Sequence, residues 1–135
     1  MIINGYGHHN ITARHLTTME FTTADDVSLH GDCIMACNAR FDSKQLRELA
    51  VSAAASKKKL KVTISVEDLK DVIVCDPNPA FSDQAEIVIR MSGAATPRTL
   101  GINADKGAVM VNRELVRKLQ NSDQKIEILV EQCDS

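Results

Sequence analysis

Three of the chain's four histidines fall in one N-terminal stretch, Gly7 to Glu20, where His8, His9 and His15 stand among Asn10, Thr12, Thr17 and Thr18. A second polar group follows at Gly31-Asp32-Cys33, and a third at Pro97-Arg98-Thr99 with Ala104-Asp105-Lys106-Gly107. Side chains able to move protons or hold anions are thus gathered beside glycines, and that grouping points to a site. His15 and Asp32 form the candidate acid–base pair, because a carboxylate held against an imidazole fixes its tautomer and raises its basicity. His8 and Asn10 lie on a glycine-flanked turn and are expected to face the same cavity. The competing reading is structural, with Asn10 and Thr12 satisfying loop backbone groups and His15 a hydrogen-bonded core imidazole. His9 and His30 are expected to be exposed.

The cations suggest a second kind of chemistry. Arg90 ends an apolar run, Arg98 opens another directly after Pro97, and Lys106 stands between Asp105 and Gly107. Two guanidiniums and an ammonium converging beside Asp105 would make a pocket for a phosphate or carboxylate. Their alternative is a set of surface ion pairs worth little. His8, His15 and Asp32 are a conceivable two-His, one-carboxylate metal set, but no HxH, HxxxH or HExxH spacing supports it, and no metal site is expected. There is no GxGxxG, GxxxxGK[ST] or GxSxG motif. The leading expectation is a small-molecule enzyme or binding protein for an anionic, phosphate- or carboxylate-bearing ligand. The alternative is a non-enzymatic RNA- or protein-associated domain with a basic surface on Arg14, Arg40, Lys44, Arg47, Lys57, Lys58, Lys59 and Lys61. No cofactor is named by the sequence.

At 135 residues the chain suits one domain spanning 1–135, with enough length for a single core. A net charge of −2 gives no global attraction to nucleic acid or to an anionic membrane. With no Trp, one Tyr and three Phe, few platforms exist for stacking bases. The apolar runs are far short of a membrane span, and the start Met1-Ile2-Ile3-Asn4-Gly5 has no leader pattern, so a cytoplasmic protein is expected. Cys33, Cys37, Cys75 and Cys133 then read as reduced thiols. No pair has CxxC spacing, and Cys33 and Cys37 are expected to be buried.

Most of the chain alternates with a period of two. Leu60, Val62, Ile64 and Val66 mark a half-buried strand, Val72 to Val74 its short partner, and Glu67 to Asp71 the connection. Ile126, Ile128 and Val130 mark a final strand. Residues 34–39, 86–90 and 99–102 add three more, and 11–23 suits one long strand or two joined by a kink. Ser43 to Ala55 reads as a helix, with Asp42 as its cap and Leu46, Leu49, Ala50 and Ala53 as its apolar stripe. Asn112 caps a second helix ending near Leu119. Asp76 to Asp83 is the longest loop. The lysines Lys57 to Lys59 read as a solvated connection. This order of elements fits a mainly antiparallel sandwich or barrel with two helices at one edge.

Four segments together carry a family pattern. They are Gly7-His8-x-Asn10-Ile11-Thr12-Ala13-x-His15-x-Thr17-Thr18-x-Glu20, then Gly31-Asp32-Cys33-Ile34, then Ile87-Val88-Ile89-Arg90-x-Ser92, then Arg98-Thr99-Leu100-x-Ile102-x-Ala104-Asp105-Lys106-x-Ala108 followed by Arg113-Glu114-Leu115-Val116. The chain resembles the small archaeal family catalogued as domain of unknown function 371. The resemblance implies a mainly-β, jelly-roll-like sandwich and an archaeal cytosolic source. It implies no activity. Gly107 stands where that family more often has alanine.

Overall fold

The computed structural model describes residues 1–134. Eight strands form in chain order: β1 (Ile2–Tyr6), β2 (Thr18–Thr22), β3 (Ile34–Arg40), β4 (Lys59–Val66), β5 (Leu69–Pro77), β6 (Glu86–Arg90), β7 (Thr99–Ile102) and β8 (Lys125–Cys133). Helix α1 (Ser43–Ala55) lies between β3 and β4, and the short α2 (Arg113–Lys118) precedes β8. The strands close into one ring in the order β1-β3-β2-β6-β7-β5-β4-β8. The sheet is mixed, because β2 runs parallel to β3 and β6 parallel to β7, while the other six pairings are antiparallel. The mainly-β class with two helices therefore holds. Six of the eight pairings are antiparallel, as expected, but the strands close into one ring, which is not the expected jelly-roll-like sandwich.

Strand patterning explains the ring's stability. Leu60, Val62, Ile64 and Val66 all point inward and are buried, and Ile126, Ile128 and Val130 do the same on the paired β8. Met19, Phe21, Met35, Ile73, Ile87, Ile89 and Leu100 join them in a continuous aliphatic core. Buried side chains pack the interior of the ring. Helix α1 buries Leu46, Ala50 and Ala53 against β4, β5, β7 and β8. Its start is fixed by Asp42, whose carboxylate accepts from the Gln45 amide at 3.0 Å. At α2 the Asn112 side chain accepts from the Glu114 and Leu115 amides at 2.9 and 3.1 Å.

Besides β1, which the sequence expectation does not include, two segments depart from it. The β4–β5 connection is a two-residue turn at Glu67-Asp68, with Val66 and Leu69 already paired and Glu67 in the left-handed region at φ 55°. Within 11–23 only Thr18–Thr22 is strand. Residues 11–17 run as an ordered loop whose polar backbone groups are satisfied by other means than a ladder. The Arg14 and His15 amides donate to the Asp32 carbonyl at 2.9 and 3.2 Å, Gln120 donates to the Ile11 carbonyl, and Arg113 takes the Thr12 and Ala13 carbonyls. The loop is seated by close approach at Gly107, where a Cβ would stand 2.4 Å from the Leu16 carbonyl oxygen. At that position φ is −97°, so glycine is needed for space and not for backbone freedom.

Candidate functional site

His15 does not meet the Asp32 carboxylate. Its Nδ1 accepts from the Thr17 and Thr18 amides at 3.2 and 3.1 Å, which makes the ring a cap for the turn entering β2. The two segments are adjacent, but the link runs through the Asp32 backbone carbonyl. The Asp32 side chain makes no hydrogen bond among the described residues. His8 and Asn10 act as fasteners. His8 Nδ1 accepts from the Asn10 amide at 3.0 Å, which leaves the neutral ring's proton on Nε2, 2.9 Å from an Asp26 carboxylate oxygen. Asn10 donates from its side chain to the Val27 carbonyl at 2.8 Å. His8 and Asn10 therefore tie the glycine-flanked turn to the segment before β3, apart from His15. His9 and His30 are exposed, as expected.

The expected Arg90–Arg98–Lys106 grouping divides in two. Arg98 sits at the entry to β7 and donates from Nη1 to Glu86 at 2.5 Å and to Glu20 at 3.5 Å. Arg90 is close by, with its Nε 3.4 Å from the Thr99 hydroxyl. Lys106 lies beyond the other end of β7 and pairs with Asp71 at 2.5 Å. Asp71 also accepts from the Asn112 and Val72 amides at 2.8 Å each. Asp105 is engaged as well, accepting from the Val74 amide at 3.0 Å. Arg98 and Lys106 thus answer to different carboxylates on different strands, and their positive charge is already met.

Beside Arg98, burial raises both Glu20 and Cys33 above their ordinary values. Burial, then the Glu86 carboxylate, hold the Glu20 carboxyl above its ordinary value against the pull of Arg98. Burial, then Glu20 and Asp32, push the neighbouring Cys33 thiol up to about 11. A thiol so placed stays protonated near neutrality and is a poor nucleophile. Cys33 is half-buried and Cys37 buried, the latter donating to the Gly7 carbonyl at 3.3 Å. Burial pushes Cys75 up to about 12, with Asp76 adding to it. All four cysteines are free thiols.

A different cluster stands where α2 meets the 12–14 loop. Arg14, Arg113 and Arg117 line one surface pocket of about 310 Å³ together with Thr12, Val116 and Gln120. No carboxylate lines it. Arg113 is locked in place: Nη1 donates to the Ala13, Ala108 and Val109 carbonyls at 2.9, 3.2 and 3.0 Å, and Nη2 to Thr12 at 2.9 Å. Burial, then the Arg14 charge, pull this guanidinium below its ordinary value. The side chains of Arg14 and Arg117 make no hydrogen bond or ion pair among the described residues. A larger concavity of about 430 Å³ on the β4–β5–β8–β1 face is electrically mixed, with Lys70 and Lys125 set against Glu67 and Glu127. The arginine pocket is lopsided by comparison.

The family model described as domain of unknown function (DUF371) matches residues 3–133. The chain belongs to the DUF371 family. It is 36% identical over 127 residues to the uncharacterized protein MJ0206 of Methanocaldococcus jannaschii, covering 93% of this chain and 94% of that relative. No helix among the described residues is long and apolar enough to cross a membrane.

Sequence reasoning overlooked Arg113 and Arg117 as site residues and counted Arg14 only toward a basic surface. Arg113 and Arg117 looked like ordinary charges of an amphipathic helix. A usable signal was present: they share a helix face at i and i+4, and that spacing sets like charges side by side with no acid between them on that face.

Proposed function

We propose that this DUF371 protein binds a small anionic ligand, phosphate- or carboxylate-bearing, between Arg14, Arg113 and Arg117. The supporting observation is the pocket's unbalanced charge: three guanidiniums, no carboxylate, and one guanidinium fixed by four backbone carbonyls. Holding like charges together is unfavourable unless something of opposite sign is shared by them. Its size falls at the lower end for small-molecule sites, roughly 300 Å³ and upward. Val116 gives it one apolar wall, as such sites need. The lining holds no His, Cys, Asp or Glu side chain, so the pocket offers binding and orientation, and the acid–base role assigned to His15 and Asp32 has no support in their geometry. The basic-surface alternative draws on Lys59, which is occupied by Asp76 at 2.6 Å.

Calorimetric titration at low ionic strength with inorganic phosphate, sulfate and acetate tests this reading. Saturable one-to-one binding is expected, weakening as salt is added. Arg14→Gln and Arg117→Gln should each cost about 1.5–3 kcal/mol of binding, the worth of a charge-assisted hydrogen bond, with the melting temperature unchanged. Arg98→Gln should leave binding as it is. If no anion binds more tightly than about millimolar, or the Arg14→Gln/Arg117→Gln double variant binds as well as the parent, the reading fails.

A further inference from the structure

The donors that Arg113 has left over identify the kind of anion. A guanidinium has five N–H groups in a planar fork. The contacts to Ala13, Ala108 and Val109 take both hydrogens of Nη1, and the contact to Thr12 takes one of Nη2. The Nε hydrogen and the second Nη2 hydrogen make no hydrogen bond among the described residues. The Nε and Nη2 nitrogens flank one edge of the plane, the edge that grips two oxygens of a single anion. The backbone clamp holds that edge rigid before any ligand arrives, so little ordering cost attaches to using it.

Charge adds a second constraint. A single negative charge among Arg14, Arg113 and Arg117 would leave two positive charges unmatched, whereas a double charge leaves one. A tetrahedral group can give two oxygens to the Arg113 edge and still turn others toward Arg14 and Arg117. A planar carboxylate has none left over once it is gripped. Resting on the anion-binding reading above, we infer that the pocket takes a doubly charged tetrahedral oxyanion, the terminal phosphate of a phosphomonoester. Phosphodiesters, with one charge per phosphate, and simple carboxylates fit it less well. The group attached to the phosphate lies along Val116 and Gln120.

The experiment uses methyl phosphate, dimethyl phosphate, sulfate and acetate, titrated calorimetrically between about pH 5 and about pH 7.5. A phosphomonoester gains its second charge near pH 6. If only the dianion binds, methyl phosphate should tighten by about tenfold across that range, following the fraction of dianion. Sulfate, doubly charged throughout, should hold constant and so report on the protein alone. The lining holds no His, Cys, Asp or Glu, and neither His15, beside Arg14 in sequence, nor Glu114, beside Arg113, lines the pocket. Dimethyl phosphate and acetate should bind at least tenfold more weakly than methyl phosphate at the upper pH. Arg113→Lys, which keeps the charge and loses the two-pronged edge, should narrow that gap, and its melting curve separates this effect from unfolding. Equal binding of all four probes, with no pH dependence, overturns the dianion inference and leaves the anion pocket standing. Failure of every probe to bind overturns both.

Discussion

Glu20 and Asp71 are both shielded carboxylates beside a cation, yet they titrate in opposite directions. Glu20 has only a 3.5 Å contact to Arg98, which is shared with the closer Glu86, so burial prevails and its carboxyl sits above the ordinary value. The folded state then holds a proton that the unfolded chain has already released, and stability falls as pH rises from the ordinary carboxylate range through the raised value. Glu20→Gln should therefore raise the melting temperature near neutral pH and leave it nearly unchanged in acid. A greater loss at neutral pH than in acid would show that the Arg98 contact outweighs burial. At Asp71 burial again pushes upward, but the Lys106 ammonium and the Asn112 and Val72 amides outweigh it, and the carboxyl sits below its ordinary value. Its contribution is present above the ordinary carboxylate range and lost as pH falls through the lowered value. Asp71→Asn should cost about 1.5–3 kcal/mol at neutral pH in urea unfolding, and the penalty should shrink in acid.

At the level of elements, what could be read from the sequence was what local rules control. Asp42 and Asn112 cap helices because a short polar side chain satisfies otherwise unpaired amides, and both do so here. The alternation in β4 and β8 marks their buried faces directly. Strand β1 was missed although Ile3 is buried between exposed Ile2 and Asn4, because five residues give too short an alternation to stand out. The 11–17 loop reads as strand because Ile11, Thr12 and Thr17 favour extended backbone, and nothing local reveals that Arg113, about a hundred residues away, will take two of its carbonyls. That loop also depends on the space left at Gly107. Gly107→Ala should cost about 1–3 kcal/mol in urea unfolding, since the added methyl meets backbone and not a movable side chain. A change within about 0.5 kcal/mol would mean the loop shifts freely to accommodate it.

Across the whole molecule, charge is distributed unevenly in a way the net value of −2 conceals. Lys59, Arg98, Lys106 and Lys118 each meet a carboxylate, at Asp76, Glu86, Asp71 and Glu67. These pairs join neighbouring elements, and they dissolve the anion pocket that Arg98 and Lys106 suggest from their nearness in sequence. The arginine pocket is built from a loop near one end of the chain and a helix near the other. The i and i+4 spacing of Arg113 and Arg117 can be read from the sequence, but the approach of Arg14 to them from about a hundred residues away cannot. The most direct test observes those side chains themselves. In heteronuclear magnetic resonance spectra resolving the arginine Nε–H signals, inorganic phosphate added at low ionic strength should shift Arg14, Arg113 and Arg117 together, along one saturating curve. Arg90 and Arg98 should stay still. A saturating response at Arg98 with none at Arg113, or a uniform unsaturated drift of every arginine, would contradict the account.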